Sequence, residues 1–319
     1  MQTPLRISLL GGGSDFPDYY KNNYGAVLTT AIDKSVYVVV KKRFDKKIYI
    51  NWSKKEIVDK ADDIEHELVR CAMILTGVDG GIEITMLSDV PSEGTGLGSS
   101  SSITVALLHA FYTYRGVLVT AEQLANEACH IEIEMLGKPI GCQDQYICAY
   151  GGLRFISFDK SGVFVESVTC NKQRELNENL MLFHTGVSRE AKNILSEQKN
   201  KIENNISILK QMADLAVQGK HYLFEGDIDD IGKLLDDNWN LKKKLASKID
   251  SQEIEDIYNL AKKAGAIGGK VIGAGGGGFV LLYVKNVDKE NIRKALKAYR
   301  ELPFKFSPMG SRVIFMQGE

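Results

Sequence analysis

The stretch Pro91-Ser-Glu-Gly-Thr-Gly-Leu-Gly-Ser-Ser-Ser-Ser102 runs directly into Ile103-Thr-Val-Ala-Leu-Leu-His-Ala-Phe111 and constrains this chain more than any other segment. Gly94, Gly96 and Gly98 permit left-handed backbone and let a ligand come close to the main chain. Ile103, Ala106, Leu107, Ala110 and Phe111 then recur at helical spacing, which predicts a helix with one buried face. The serines between the two stand where N-caps and first-turn hydroxyls stand. A glycine loop opening a helix presents free N–H groups at an end carrying roughly +0.5 of a charge, so it is suited to an anion, most naturally a nucleotide phosphate. A flexible Gly/Ser linker is the alternative, but linkers do not run straight into an amphipathic helix.

Two familiar phosphate loops are excluded. A Walker A loop needs a lysine after its last glycine, and Ser99 follows Gly98. A dinucleotide fingerprint starting at Gly94 would need glycine at position 99. What remains is a loop whose donors are backbone N–H groups and hydroxyls, with charge supplied from elsewhere.

The run P-x-x-x-x-G-L-G-S-S before a helix resembles the phosphate loop of the GHMP kinases, and two further segments resemble that family's motifs in the expected order. One is Pro4-Leu-Arg6-Ile-Ser-Leu-Leu-Gly-Gly-Gly-Ser-Asp15-Phe-Pro; the other is Lys270-Val-Ile-Gly273-Ala-Gly275-Gly-Gly-Gly278-Phe-Val-Leu-Leu-Tyr283. L-G-G-G-S-D-F-P together with Gly141-Cys-Gln-Asp144-Gln-Tyr146 is most similar to the D-glycero-D-manno-heptose 7-phosphate kinase branch, with fucose kinases next. The resemblance implies an α+β protein of two domains, the first like domain 2 of ribosomal protein S5 and the second ferredoxin-like. It also implies ATP as donor, with Gly94, Gly96, Leu97, Gly98, Ser99, Ser100 and Ser101 as the ATP-binding set.

With 319 residues and 44% hydrophobic content the chain can bury one large or two medium cores. A formal net charge of −1 gives no reason to expect a nucleic-acid or anionic-membrane partner. The longest basic run, Lys242-Lys-Lys244, reads as a solvated helix face. No apolar run approaches the ~20 residues of a membrane span, and Ile7 to Leu10 is too short for a signal-peptide core, so a cytoplasmic location is expected. Five cysteines without C-x-x-C or zinc spacing read as free thiols. A homodimer is compatible with all of this.

Strands are expected at Ala26–Ile32, Val36–Lys41, Lys47–Asn51 and Gly81–Leu87, and a hairpin at Leu153–Phe158 with Val163–Val168. Helical periodicity runs from Ile57 to Thr76, and Thr120 with Gln123 predicts a capping box for a helix reaching Leu136. The sequence turns polar around Asn171 to Asn179, which places the domain boundary between residues 172 and 173. Beyond it come a strand at Leu180–His184, long helical stretches to Leu245, and a helix at Ser251–Ala264. A helix at Asn291–Tyr299 and strands at Phe304–Phe306 and Val313–Met316 complete the chain. The match to G-x-G-x-x-G at Gly273, Gly275 and Gly278 leads into a strand, so it reads as a tight turn between strands; the resemblance puts that turn beside the phosphate loop.

Phosphoryl transfer needs positioned phosphates, a metal ion and a group to orient the nucleophile. Mg²⁺ takes few protein oxygens besides phosphates and water. Ser99 or Ser100 can give a hydroxyl, with Ser100 preferred, and Glu132 rather than Glu134 is the better carboxylate because it sits at the edge of the buried stripe. The resemblance also places a metal-binding glutamate on this helix. Asp144, in a short loop after Gly141, can accept the proton of a sugar hydroxyl. In the family's sugar kinases an arginine of the first motif pairs with an aspartate here, which implies Arg6 and Asp144 as the catalytic pair. It likewise makes Asp15, with Gly12, Gly13 and Ser14, the sugar-binding turn.

The resulting expectation is an ATP- and Mg²⁺-dependent kinase of the anomeric hydroxyl of D-glycero-D-manno-heptose 7-phosphate, serving nucleotide-activated heptose and surface polysaccharide. A fucokinase- or galactokinase-like kinase of an unphosphorylated sugar is the alternative, and a non-catalytic sugar-sensing regulator is a third. The residues holding a remote phosphate are guesses: Arg189, in Thr185-Gly-Val-Ser-Arg189, with Lys138 and Lys192.

Overall fold

The computed structural model describes residues 1–91, 94–187 and 191–317. The first strand, β1 (Gln2–Leu10), is buried along almost its whole length, as a strand covered on both faces must be. A short helix, α1 (Pro17–Tyr20), leads to β2 (Gly25–Lys42), the spine of a seven-stranded sheet. The two separate strands expected at Ala26–Ile32 and Val36–Lys41 are thus one. Asp33 and Lys34 read as a break, but β1 pairs alongside and bridges the interruption. After β3 (Ile48–Asn51) and β4 (Lys55–Val58) comes α2 (Glu67–Thr76), ended by Gly77 at φ 65°. The helical reading of Ile57–Thr76 therefore holds only from Glu67. β4 pairs with β3 across a tight turn, and that pairing takes Ile57 out of the helical register.

β5 (Ile82–Ser88) pairs with β2 over Val36–Lys42 and runs parallel to β3. It leads through the glycine loop to α3 (Ser99–Tyr114). Then α4 (Ala121–Cys129), capped by the Thr120 hydroxyl at the Gln123 N–H (3.1 Å), widens into a π-helical turn over His130–Met135. The box is not reciprocal, since the Gln123 amide donates to Glu127 instead. α5 (Gln143–Tyr150) and the hairpin β6 (Leu153–Asp159) with β7 (Gly162–Ser167) complete this half, β6 pairing with β2 over Gly25–Thr30.

α6 (Gln173–Glu178) precedes β8 (Leu180–His184), followed by α7 (Ala191–Asn200), α8 (Ile206–Glu225), α9 (Ile228–Lys242) and α10 (Gln252–Lys263). The antiparallel strands β9 (Gly268–Val271) and β10 (Phe279–Tyr283) flank the glycine turn, and α11 (Lys289–Ala295) comes last. Phe183 bridges Glu301, so the spatial order is Glu301, β8, β10, β9, the ferredoxin-like arrangement. The remaining chain returns to the first sheet through Ile32 with Phe306 and Gln2 with Arg312. Those bridges are all that exists of the strands expected at Phe304–Phe306 and Val313–Met316; the latter residues are exposed and have no strand partner among the described residues. The halves are joined by packing: α3 and α8 both lie against β2, and Ala213, Ala216 and Leu223 of α8 belong to the core built around β1 and β2.

Candidate active site

A cleft of about 410 Å³ opens where the two sheets meet, and the three glycine-bearing motifs line it together. Gly98 is the cap of α3 in left-handed backbone, φ 77°. Ser102 N–H is the first to reach a helical acceptor, Gly98 O at 2.9 Å. The N–H groups of Ser99, Ser100 and Ser101 come before that bond and are the free donors of the helix start. Ser102 itself is turned inward, its hydroxyl tying α3 to the carbonyls of Thr3 and Pro4 (3.1 Å each). The loop is braced from two sides. Arg6 N–H donates to Leu97 O at 3.0 Å and its Nη1 to Gly96 O at 2.5 Å. Opposite, the glycine turn presses backbone on backbone: a Cβ on Gly273 would lie 2.5 Å from Gly96 Cα.

Arg6 and Asp144 form a two-pronged pair, Nε to Oδ1 at 2.6 Å and Nη2 to Oδ2 at 2.5 Å. The guanidinium is buried, while 23% of the Asp144 side chain remains exposed, toward the cleft. Asp144 is not in a loop, as expected, but in the first turn of α5, where the helix end favours a negative charge. Beside it, Asp15 is held by the N–H groups of Gly13 (2.8 Å) and Gln143 (3.2 Å). Burial pushes the Asp15 carboxyl above its ordinary range; the Gly13 N–H pulls against that and Asp144 adds to it. A Cβ on Gly141 would stand 2.0 Å from Asp15 Oδ2, so a side chain there would displace the carboxylate from the N–H groups that hold it.

At the other end, Ser100 donates to Glu132 Oε1 at 2.5 Å and Gln145 to Oε2 at 2.8 Å. Glu132 is fully buried. Burial raises its carboxyl's pKa, opposed by Lys138, Ser100, Ser101 and Gln145. Lys138 reaches Ser100 Oγ (3.2 Å), Glu67 (3.0 Å) and Glu132 (3.8 Å), so an ammonium already rests against this oxygen cluster. Glu134 is on the surface with His130.

Two side chains that sequence reasoning passed over lie in the same cleft. Lys242 and Lys270 are 5% and 1% exposed. Lys242 Nζ donates to Gly273 O, and Lys270 Nζ to Leu9 O at 3.0 Å. The Lys242-Lys-Lys244 run is therefore not a solvated face throughout: Lys244 is exposed, but the last turn of α9 points Lys242 into the fold. Burial pushes the Lys242 ammonium down to about 8, with Arg6 adding to it and Asp15 and Asp144 opposing. A lysine with a lowered native pKa costs stability below that pKa and regains it as pH climbs to the unfolded value near 10.5. Wild type should thus gain up to about 3 kcal/mol from this group between pH 8 and 10.5, at 1.36 kcal/mol per pKa unit. Urea unfolding of wild type and Lys242→Met at pH 7.5 and 9.5 measures it: equal pH slopes in the two proteins would count against a buried, depressed lysine.

Among the other expected residues, Gly12 and Gly13 line the cleft with Gly94, Gly96, Gly98, Ser99, Ser100 and Ser101. Ser14 and Leu97 do not. The Ser14 hydroxyl is committed to Gly11 O and Ala26 O (2.9 and 3.0 Å), and the Leu97 side chain is in the core. Lys138 belongs to the Glu132 end, and exposed Lys192 to the rim. Arg189 lies outside the described residues.

A helix-opening glycine loop braced by a buried arginine, which in turn holds a partly exposed aspartate at the same cleft, is an arrangement able to bind phosphates and orient a nucleophile. The GHMP kinases N terminal domain pattern matches residues 66–152, and the GHMP kinases C terminal pattern residues 220–301. D-glycero-alpha-D-manno-heptose 7-phosphate kinase of Campylobacter jejuni is 33% identical over 313 residues, 93% of this chain and 92% of that protein. L-fucokinase/L-fucose-1-P guanylyltransferase of Bacteroides fragilis is 26% identical, over 92% of this chain but only 35% of that longer protein. A D-glycero-D-manno-heptose 1-phosphate kinase from Bacteroides thetaiotaomicron superposes with a TM-score of 0.79 at 25% identity, covering 96% of this chain and 95% of that one. A putative sugar kinase from Campylobacter jejuni gives 0.77 at 30% identity, covering 97% and 95%. The chain belongs to the GHMP kinases and is an ATP-dependent sugar kinase. No helix among the described residues is long and apolar enough to cross a membrane.

Proposed function

We propose that the enzyme transfers the γ-phosphoryl group of ATP to the anomeric hydroxyl of D-glycero-D-manno-heptose 7-phosphate, giving the 1,7-bisphosphate. The observation that carries the transfer is the Arg6–Asp144 pair, whose carboxylate faces the cleft shared with the phosphate loop. The sugar itself is suggested by the relatives named for heptose phosphates. In this reading the backbone donors at Ser99–Ser101 hold the ATP phosphates, and Asp15 with Gly12 and Gly13 receives sugar hydroxyls. Asp144 accepts the anomeric hydroxyl's proton as its oxygen bonds to the γ-phosphorus and the β–γ bridge breaks, releasing ADP. Domains at residues 1–172 and 173–319 divide the labour between the phosphate loop and the facing wall. We assign the cell interior as the place of work.

Ser100 Oγ and Glu132 fit a Mg²⁺ that keeps its phosphate and water ligands: both are hard oxygens, adjacent, at a point negative enough to hold the Lys138 ammonium. Bound there, the ion would offset charge on the transferring phosphates. Ser100→Ala and Glu132→Gln should each raise the MgCl₂ concentration for half-maximal rate several-fold at fixed ATP. Unchanged titrations in both variants would move the metal elsewhere.

An ADP-release assay across the heptose 7-phosphate, heptose 1-phosphate, unphosphorylated heptose, mannose, fucose and galactose tests the substrate, with ³¹P NMR locating the new phosphate. The 7-phosphate should be used most efficiently and should gain a phosphate at C1. Higher kcat/KM for an unphosphorylated sugar would favour the fucokinase- or galactokinase-like reading.

A further inference from the structure

Around the acceptor end of the cleft stand three buried cations, Arg6, Lys242 and Lys270, against two carboxylates, Asp15 and Asp144. Arg6 and Asp144 satisfy each other. Among the described residues, neither lysine has a carboxylate within ion-pair distance, and each uses one of its three N–H donors on a backbone carbonyl. The two ammoniums also repel: burial, then Lys242, then Arg6 depress Lys270 well below the ordinary lysine range. Holding like charges together in a buried wall is costly unless a counter-charge offsets them. The same cleft is lined by three more residues with a buried polar atom lacking any hydrogen bond, Ser8 Oγ, Ser99 Oγ and Gln143 Oε1. The last is an acceptor, so Gln143 would serve an anion through its amide nitrogen. Ser8 Oγ and the Gln143 side-chain amide nitrogen converge on Gly12, since a Cβ there would meet each at 3.3 Å. Unspent donors, surplus positive charge and a neighbouring sugar-binding turn ask for an anionic group on the acceptor.

We propose that Lys242 and Lys270, assisted by Ser8 and Gln143, form the subsite for the acceptor's own phosphate group. They sit on the wall built by the end of α9 and by β9, so the second domain reads the phosphate that is retained while the first handles the phosphate that is transferred. This rests on the sugar-phosphate reading above. It makes the enzyme's preference for a phosphorylated sugar a property of these two lysines.

The experiment compares kcat/KM for heptose 7-phosphate and unphosphorylated heptose in wild type, Lys242→Met and Lys270→Met, with ATP saturating. The preference for the phosphorylated sugar should fall about tenfold to a hundredfold in each variant, the scale of a charge-assisted hydrogen bond to a dianion. Should a variant fail to fold, wild type serves alone. Its preference should decline between pH 7 and 9.5 as Lys242 loses its proton, with Arg6, Asp15, Asp144 and Lys270 as the ionisable groups around it. The sugar phosphate stays a dianion across that range. A preference kept by folded variants, or one independent of pH in wild type, overturns the subsite. A separate ATP titration in which the variants show a higher KM for ATP while the sugar preference is unchanged overturns it too, by giving the lysines to the nucleotide. If wild type does not phosphorylate heptose 7-phosphate, the substrate reading itself fails, a result separate from either.

Discussion

Asp144→Asn is expected to lower kcat by about a hundredfold to ten-thousandfold, the range of a positioned general base, while ATP affinity changes less than about twofold. Asparagine keeps an oxygen that can accept from Arg6 Nε, so much of the local geometry survives. It cannot take up the proton. Its substitution also leaves the buried Arg6 guanidinium without a counter-charge, and truncating one member of such a pair commonly costs about 3–5 kcal/mol. Asp144 is partly exposed, so the cost here belongs at or below the lower end. The two roles separate experimentally: loss of the base removes turnover in a protein that melts cooperatively and binds ATP, whereas a structural role lowers melting temperature and ATP binding together. Wild-type turnover in the folded variant would remove Asp144 from the chemistry.

Gly96→Ala should raise the KM for ATP by at least tenfold and lower the melting temperature. Gly96 sits at φ 72°, where a side chain costs roughly 1–2 kcal/mol. Its Cβ would also stand 2.6 Å from the carbonyl oxygen of Ile272, at the entry to the glycine turn. Backbone on both sides leaves no flexible atom to yield, so the phosphate loop has to move. Gly273→Ala should give the same phenotype from the opposite wall, because its Cβ meets Gly96 Cα. Gly116→Ala is the control: the same φ of 72°, but nothing within 4 Å. It should lose stability without any change in KM for ATP. Equal ATP kinetics in all three proteins would show that the turn does not brace the loop.

The motif-bearing segments were legible because their constraints are local. Gly98 before a run of serines encodes a helix start, and the structure has one there. The helix itself, expected to bury one face, is buried on nearly all sides between Ser101 and Phe111, because it packs against β1 and β2 and against α2, α4 and α5. Local reasoning failed where a neighbour decides. Asp33 and Lys34 read as a break in a strand until β1 pairs across them. Ile57 fits a helical period until β3 takes it into a hairpin. Val313–Met316 has strand composition but meets no partner among the described residues, and composition cannot supply one. At the cleft, the π-helical turn over His130–Met135 buries Glu132 and leaves Glu134 at the surface, a choice the sequence could rank only by the edge of a stripe.

By itself, then, the sequence determined the three motifs, their order, the α+β class and the pair of groups, Arg6 and Asp144, that the family resemblance singled out. Tertiary structure alone decided that those groups meet, 138 residues apart, and that Gly96 and Gly273 touch. It also decided that Lys242 and Lys270, each ordinary in its own segment, turn inward onto one cleft. The physical reason is common to all of these. A left-handed turn or a helix cap, such as the one at Gly98, is set by a few adjacent residues. The burial and charge environment of a side chain is set by whichever distant elements pack over it.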